Sequence, residues 1–339
     1  MQRTSVKETL KIALTFSGTI IGAGFASGQE LLQFFITYGS FGLYGILFAG
    51  ILFAWLGYRL LSISYRYQLS SYPELIYKLC GKKLGLFFDG AISFFIFTVL
   101  VIMLAAASTL HAYGSYILAV LITVLSLKGI KGITIINLLA TPFLTFAILS
   151  VSFSSLAYHG NFFTIFSTAA EFSLQPAPHW LLSCILYVSY NIVLAMTILI
   201  PLGQSTPSET ARKLGTLIGG ILLTFLAFLI VCTILIHYPD ILTTEIPMLT
   251  IACTQTKMHS LFYTIIFLIS IFTTSLSCLY GCATKLKSIF KLSYPICLLV
   301  SITASLIFIQ IGFKDLIAIA FPIFGYTTLW ILFKIIFSK

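Results

Sequence analysis

Charge is what this sequence has least of. Of 339 residues only 8% are charged, where a soluble domain carries about 25%. So few charges cannot cover a globular surface with water-facing groups, and 59% of the chain is hydrophobic. Lipid is therefore the solvent for most of it. Acids are the scarcer sign, nine Asp and Glu against 19 Lys and Arg, for a formal net charge of +10. The basic residues sit in short groups between apolar runs and not on one soluble face, which argues against a nucleic-acid surface and for membrane lipid as the partner. The seven cysteines are scattered, odd in number and mostly inside apolar stretches, with no CxxC pair, which argues against a disulfide framework or a zinc ribbon. Cys278 and Cys282 lie one helical turn apart, but no His or acid joins them. With no HExxH, no nucleophile elbow and no paired acids at a membrane surface, the sequence does not read as an enzyme.

What is present is a series of long apolar runs. A helix needs roughly 20 such residues to cross the hydrocarbon core. Ten segments meet or approach that scale, at about 9–37, 40–65, 84–111, 114–127, 132–156, 178–200, 214–237, 258–283, 294–311 and 314–337. The basic start (Arg3, Lys7, Lys11) ahead of an apolar run imitates a secretory leader, but with so many spans behind it the first run reads as a retained membrane helix. An interfacial helix expected over 72–80, with Glu74 following Pro73, separates the second and third spans.

Lys and Arg set the expected orientation. With a cytoplasmic N-terminus the inner side receives Arg59, Arg66, Lys78, Lys82, Lys83, Lys128, Lys131, Arg212, Lys213, Lys285, Lys287, Lys291, Lys334 and Lys339 besides the three basic residues of the start. The outer side receives only Lys257 and Lys314. This predicts a multi-pass membrane protein with both termini cytoplasmic. The histidines (His111, His159, His179, His237, His259) then fall near the outer ends as interfacial polar residues, without ligand-like spacing.

The first run is too long for one straight span and carries Gly18, Gly22, Gly24 and Gly28 near its middle. Glycine costs about 1 kcal/mol against alanine inside a helix and permits non-helical backbone. Close helix packing by small residues accounts for some of these glycines. It does not account for Gln29 and Glu30 directly after them, at a depth where an ionisable group is expensive. Two half-helices joined by an unwound stretch account for both. The sixth run has a weaker counterpart in Leu186-Tyr187-Val188-Ser189-Tyr190-Asn191-Ile192, whose polar residues read either as a second break or as bonds to a neighbouring helix. Runs five and ten each hold one proline, Pro142 and Pro322. Together these features predict an all-α integral membrane domain over 1–339. Its ten helices form a five-plus-five inverted repeat, 9–156 and 178–337, with helices one and six broken.

The stretch from Thr15 to Glu30 resembles the opening of the YkvI-type bacterial membrane proteins, which look like distant members of the amino acid–polyamine–organocation superfamily with its leucine-transporter fold. Gly22-Ala23-Gly24-Phe25 is similar to that superfamily's first-helix break. Tyr187 to Asn191, with Thr206-Pro207 past the helix end, is similar to its sixth helix. The acids that many members carry late in that helix are absent here.

The resemblance implies secondary transport of a small solute, an amino acid being the foremost candidate. Its carboxylate would meet the half-helix amides around Gly24, Phe25, Ala26, Ser27 and Gly28, with Gly22, Ala23, Ser189, Tyr190 and Asn191 completing the substrate site. The resemblance also implies a sodium ion held by the carbonyls of Gly18 and Ile21 and the hydroxyls of Thr273 and Thr274, oxygen ligands that suit a hard cation. Those threonines read equally well as ordinary interhelical bonds. Glu30 reads as an acid for a substrate ammonium or for a coupling proton, against the plainer role of complementing a helix dipole. Asp89, close to Lys82 and Lys83, reads as dipole complementation. No cofactor is expected beyond Na+ or H+ as coupling ion. A ligand-sensing receptor subunit of the same fold is the alternative to a transporter.

Overall fold

The computed structural model describes residues 6–127, 133–158 and 175–338, with backbone alone for 133–140. His159, Lys128 and Lys131 lie outside the described residues. The first span comes in pieces, α1 (Val6–Ile20), α2 (Ala23–Ser27), α3 (Gln29–Phe34) and a 3-10 turn (Ile36–Tyr38). It is followed by α4 (Ser40–Tyr67), α5 (Tyr72–Leu110), α6 (Gly114–Leu127) and α7 (Ile133–Tyr158). The second half holds α8 (Trp180–Gln204), α9 (Glu209–Ile236), α10 (Pro247–Gln255), α11 (Lys257–Phe290), α12 (Tyr294–Phe308) and α13 (Phe313–Phe337). Among the described residues eight helices are long and apolar enough to cross a membrane. With the interrupted first span and the shorter α6, they make the ten expected.

Local chemistry sets the boundaries. Glu74, directly after Pro73 in the first turn of α5, accepts hydrogen bonds from the Ser70 amide and from the hydroxyls of Ser70 and Ser71, which ties the residues before the helix to its start. At Gly81 the backbone leaves helical geometry with φ 73°, a region open to glycine, so the first nine residues of α5 turn off from the span proper. This is the interfacial helix expected over 72–80. Ser208 and Thr256 accept the Ala211 and His259 amides to start α9 and α11.

Two features depart from the sequence reading. The expected break in the sixth span is absent: α8 runs continuously from Trp180 to Gln204, with Pro201 in its last turn. The short α10, between the seventh and eighth spans, was not anticipated at all.

The packing forms two groups. In one, α4 lies against α8 and α9, and α1 against α9; in the other, α11 lies against α5, α6 and α12. The proline-bearing α7 and α13 touch both groups, α7 against α9 and α11 and α13 against α8 and α5. Asp89 of α5 forms an ion pair with Lys285 of α11 and accepts a hydrogen bond from Tyr72 at 3.3 Å. It therefore braces two spans, a role beyond the dipole complementation expected of it. At the same end Arg59 of α4 donates to the carbonyls of Ile335, Ile336 and Ser338, and Ser64 donates to the Ile200 carbonyl at 2.5 Å. Basic residues from α4, α9, α11 and α13 thus gather at one end of the bundle. At the other end Tyr38 donates to the Ala177 carbonyl at 2.5 Å, and Glu245 accepts the Lys314 amide at 2.8 Å.

The corner between the first span and α4 is a tight one. A Cβ on Gly42 would overlap the backbone carbonyl of Phe35, which cannot rotate away as a side chain can. Gly42→Ala is expected to destabilise the protein by about 1–3 kcal/mol, the usual cost of overpacking. Thermal unfolding of the purified variant should show a lowered midpoint, and an unchanged one would mean that this corner yields freely.

Candidate functional site

The break in the first span begins where α1 stops. Ile21 still bonds back to the Ser17 carbonyl and Gly22 to that of Ile20, both at 2.8 Å, and Gly22 is then extended, with ψ −172°. After five helical residues the chain bends again at Gly28, whose φ of 80° lies in the left-handed region. Ser27 closes this second bend, donating to the Gly24 carbonyl at 2.6 Å and accepting the Gln29 amide at 3.1 Å. The span is therefore interrupted twice, at Ile21–Gly22 and at Gly28, and not once as the glycines alone suggested. Gly28 is also hemmed in: a Cβ there would lie 2.7 Å from Ile234 Cδ1 and 3.1 Å from Met248 Cγ. Gly22, Phe25 and the residues between and just after them are mostly buried, and the Ala26 carbonyl accepts the Tyr263 hydroxyl of α11 at 2.6 Å.

Glu30 folds back over this break. Its side chain is buried, and Oε1 rests where a Gly24 Cβ would stand. Its other oxygen, Oε2, accepts the Tyr190 hydroxyl at 2.7 Å. Residues 160 apart in sequence thus join the interrupted span to the middle of α8. The Tyr190 ring stacks on Phe321 with centroids 5.0 Å apart and also meets Phe34, Phe95 and Tyr187. Phe95 in turn stacks on Phe324 at 3.8 Å. One carboxylate therefore sits at the edge of an aromatic wall built from four spans.

Two buried polar groups at this place have no partner among the described residues. Both amide atoms of Gln29 are unpaired, at 1% exposure, and so is the Tyr187 hydroxyl. Buried polar groups are paired in the great majority of cases, so these two are exceptions, one beside Gly28 and one a turn before Tyr190 on α8. Beside Tyr187, between α2, α4, α8 and α9, lies a cavity of only about 10 Å³ lined by Phe25, Phe35, Phe53 and Thr224 among others. That is about the space of one water, too little for an organic solute in this conformation.

The structure treats the other expected site residues differently. Ser189 shares a hydrogen bond of 2.8 Å with Thr328 of α13, and Asn191 donates to the Tyr187 carbonyl of its own helix at 3.0 Å. Of the three α8 residues, Tyr190 is the one bonded to the first span. Gly18 faces Thr141 of α7, Ile21 is buried, and the Thr273 hydroxyl donates to the Ser270 carbonyl one turn back at 3.1 Å; Thr274 is half-buried. No hydrogen bond among the described residues joins Gly18 or Ile21 to those threonines. The sequence reading passed over Gln29, Tyr187, Phe95, Phe321 and Tyr263 as site residues. Gln29 had a signal, an amide in an apolar run, whereas aromatics at 15% of the chain do not stand out singly.

With this geometry in view, the chain superposes on solved transporters over nearly all its length. Mhp1 in an inward-facing conformation matches with a TM-score of 0.64 at 14% identity, covering 96% of this chain and 77% of that one. The manganese transporter of Eremococcus coleocola matches at 0.61 and 15%, covering 95% and 76%. A Na+-coupled sialic acid symporter in a substrate-bound outward-open state matches at 0.60 and 14%, covering 96% and 73%. At such identities the likeness is one of fold, and the fold is that of the leucine transporter. No protein-family model matches the chain. Among sequences, the protein YyaD of Bacillus subtilis (strain 168) is 27% identical over 330 residues, covering 95% of this chain and 94% of its own. The membrane protein YkvI of the same strain is 32% identical over 333 residues, covering 94% and 92%. The resemblance first carried by residues 15–30 thus extends from end to end, and this multi-pass membrane chain belongs to the YkvI family.

Proposed function

We propose that this chain is a secondary active transporter that moves a small solute, an amino acid being the foremost candidate, by cation-coupled alternating access. The observation that carries the reading is the Glu30 carboxylate, held over the break of the first span by Tyr190 and close to unpaired Gln29. An amino acid's ammonium would pair with Glu30, since a buried carboxylate is stabilised by a nearby cation. The substrate carboxylate would turn toward Gln29 and the amides from Gly22 to Gly28, where the half-helix presents its positive end. Because Glu30 already lies over Gly24, it supplies the ammonium side of the site and narrows what the amides can receive. Phe25, Ser189 and Asn191 would shape the remainder. The superposition on cation-coupled transporters supports the mode of action, and the closed aromatic wall supports a site that must open to load.

For the coupling ion there are two sets of residues. The carbonyls of Gly18 and Ile21 with Thr273 and Thr274 would serve Na+, and Glu30 would serve a proton. With both termini in the cytoplasm, as the Lys and Arg distribution has it, the break is approached from outside through α3 and the Tyr38 turn. Amino-acid counterflow in proteoliposomes, with and without a sodium or proton gradient, tests the reading. Saturable exchange accelerated by one gradient is expected. Binding without translocation in folded protein would overturn transport and favour a receptor subunit of the same fold.

A further inference from the structure

At the end of the bundle that gathers the basic residues, α4 and α9 part around a cleft of about 300 Å³, many times the roughly 10–15 Å³ that one water needs. Its wall carries three guanidiniums, Arg59, Arg66 and Arg212, against one carboxylate, Glu209. Glu209 is already engaged by the Tyr58 hydroxyl at 2.8 Å, and the lining retains an excess of positive charge.

The guanidiniums are only partly satisfied. Arg212, 6% exposed, donates from Nη1 to the carbonyls of Thr206 at 2.6 Å and Pro207 at 3.1 Å, and lies 4.4 Å over the Tyr65 ring. Its Nε is buried with no acceptor among the described residues. Arg59 uses Nη2 on the carbonyls at the end of α13 and leaves its own Nε buried and unmatched. Ser62, also in the wall, has a buried hydroxyl without a partner. Three guanidiniums against one carboxylate around a void suit an anion with several acceptor oxygens, and guanidinium forks match phosphate oxygens in pairs.

The position of the cleft indicates where that anion comes from. Along α4, Leu47, Ile51, Trp55, Tyr58, Ser62 and Arg66 follow one another at intervals of three or four residues, so they share one helix face. Leu47, Ile51 and Trp55 are exposed apolar residues, as a lipid-facing stripe is. The face therefore leads from acyl-chain depth into the basic cleft, in the order of a phospholipid's own parts. Basic pockets between membrane helices hold anionic headgroups on the same principle. We propose that this cleft is a phosphate-binding site, filled by the headgroup of an anionic membrane phospholipid whose chains lie along the α4 stripe. The site is separate from the break in the first span and does not depend on transport.

The test uses the full chain purified in detergent and exposed to equal amounts of phosphatidylglycerol and phosphatidylcholine, with retained lipid read by native mass spectrometry. Wild type is expected to retain phosphatidylglycerol about tenfold over phosphatidylcholine or better. Arg66→Gln, at an exposed position, and Ser62→Leu, which fills the cleft without changing charge, should each bring the ratio close to one. Their lipid-free unfolding midpoints report that they are folded. A wild type without lipid preference that inorganic phosphate nevertheless stabilises, with the effect lost in Arg66→Gln, keeps the phosphate site and overturns the lipid as its source. Equal retention of both lipids with no effect of phosphate, or a preference unchanged in both variants, overturns the proposal.

Discussion

Glu30→Gln is expected to lower amino-acid counterflow roughly 30- to 150-fold in protein that still folds. Glutamine keeps the volume of Glu30 and an oxygen for the Tyr190 hydroxyl, which lies 2.7 Å away, so the wall of the site stays in place. What disappears is the charge opposite a substrate ammonium. Hydrogen bonds to charged groups contribute about 1.5–3 kcal/mol, and the upper part of that range corresponds to the loss expected, at about 1.4 kcal/mol for each factor of ten. Tyr190→Phe makes the contrast. It removes one hydrogen bond to a carboxylate that persists, keeps the stack on Phe321, and should cost much less. Counterflow near the wild-type rate in Glu30→Gln would remove the ammonium partner from the proposed mechanism. Loss in Glu30→Ala accompanied only by a shifted pH optimum in Glu30→Gln would count against Glu30 as a simple proton carrier.

Gly24→Ala should change the sign of its effect on stability with the residue at position 30. In the wild-type background the new Cβ would overlap Glu30 Oε1. The buried carboxylate must then leave its place and its Tyr190 bond, or α2 must shift. Either adds to the ordinary overpacking cost of about 1–3 kcal/mol. In a Glu30→Ala background that oxygen is gone. The methyl group then enters space left by the missing side chain, and alanine regains about 1 kcal/mol of helix propensity over glycine. Four unfolding midpoints complete the cycle, and residues in direct contact typically couple by about 0.5–3 kcal/mol. Additive midpoints would mean that the carboxylate does not rest on Gly24 in solution.

Much of the architecture was legible because membrane burial leaves few alternatives. Apolar runs of span length became spans, and Pro73 with Glu74 marked the interfacial helix, whose turn at Gly81 only the structure shows. The glycines from Gly18 to Gly28 located the interruption within a few residues. What failed, failed for physical reasons. Ser189 and Asn191 looked like a second break because polar groups at that depth need partners. Thr328 and the Tyr187 carbonyl supply them, so α8 has no need to unwind. The nine residues of α10 are too few for a span and carry no clear apolar period, so they read as loop. Glu30 and Tyr190 were each singled out from the sequence. Their bond was not, because nothing local in a sequence encodes a contact between residues so far apart along it.

The two bends in the first span also have a mechanical meaning. Residues Ala23–Ser27 form a strut, about 7.5 Å long at 1.5 Å per residue, with a swivel at each end in Gly22 and Gly28. Across its side it is pinned by one bond, from the Tyr263 hydroxyl to the Ala26 carbonyl. Such a piece works as a crank. Turning it about its own axis sweeps Phe25 through an arc while α1 and α3 keep their directions. In the proposed transport cycle, opening the site would then turn five residues against one pin among the described residues, a far smaller moving part than the whole transmembrane helix that contains it.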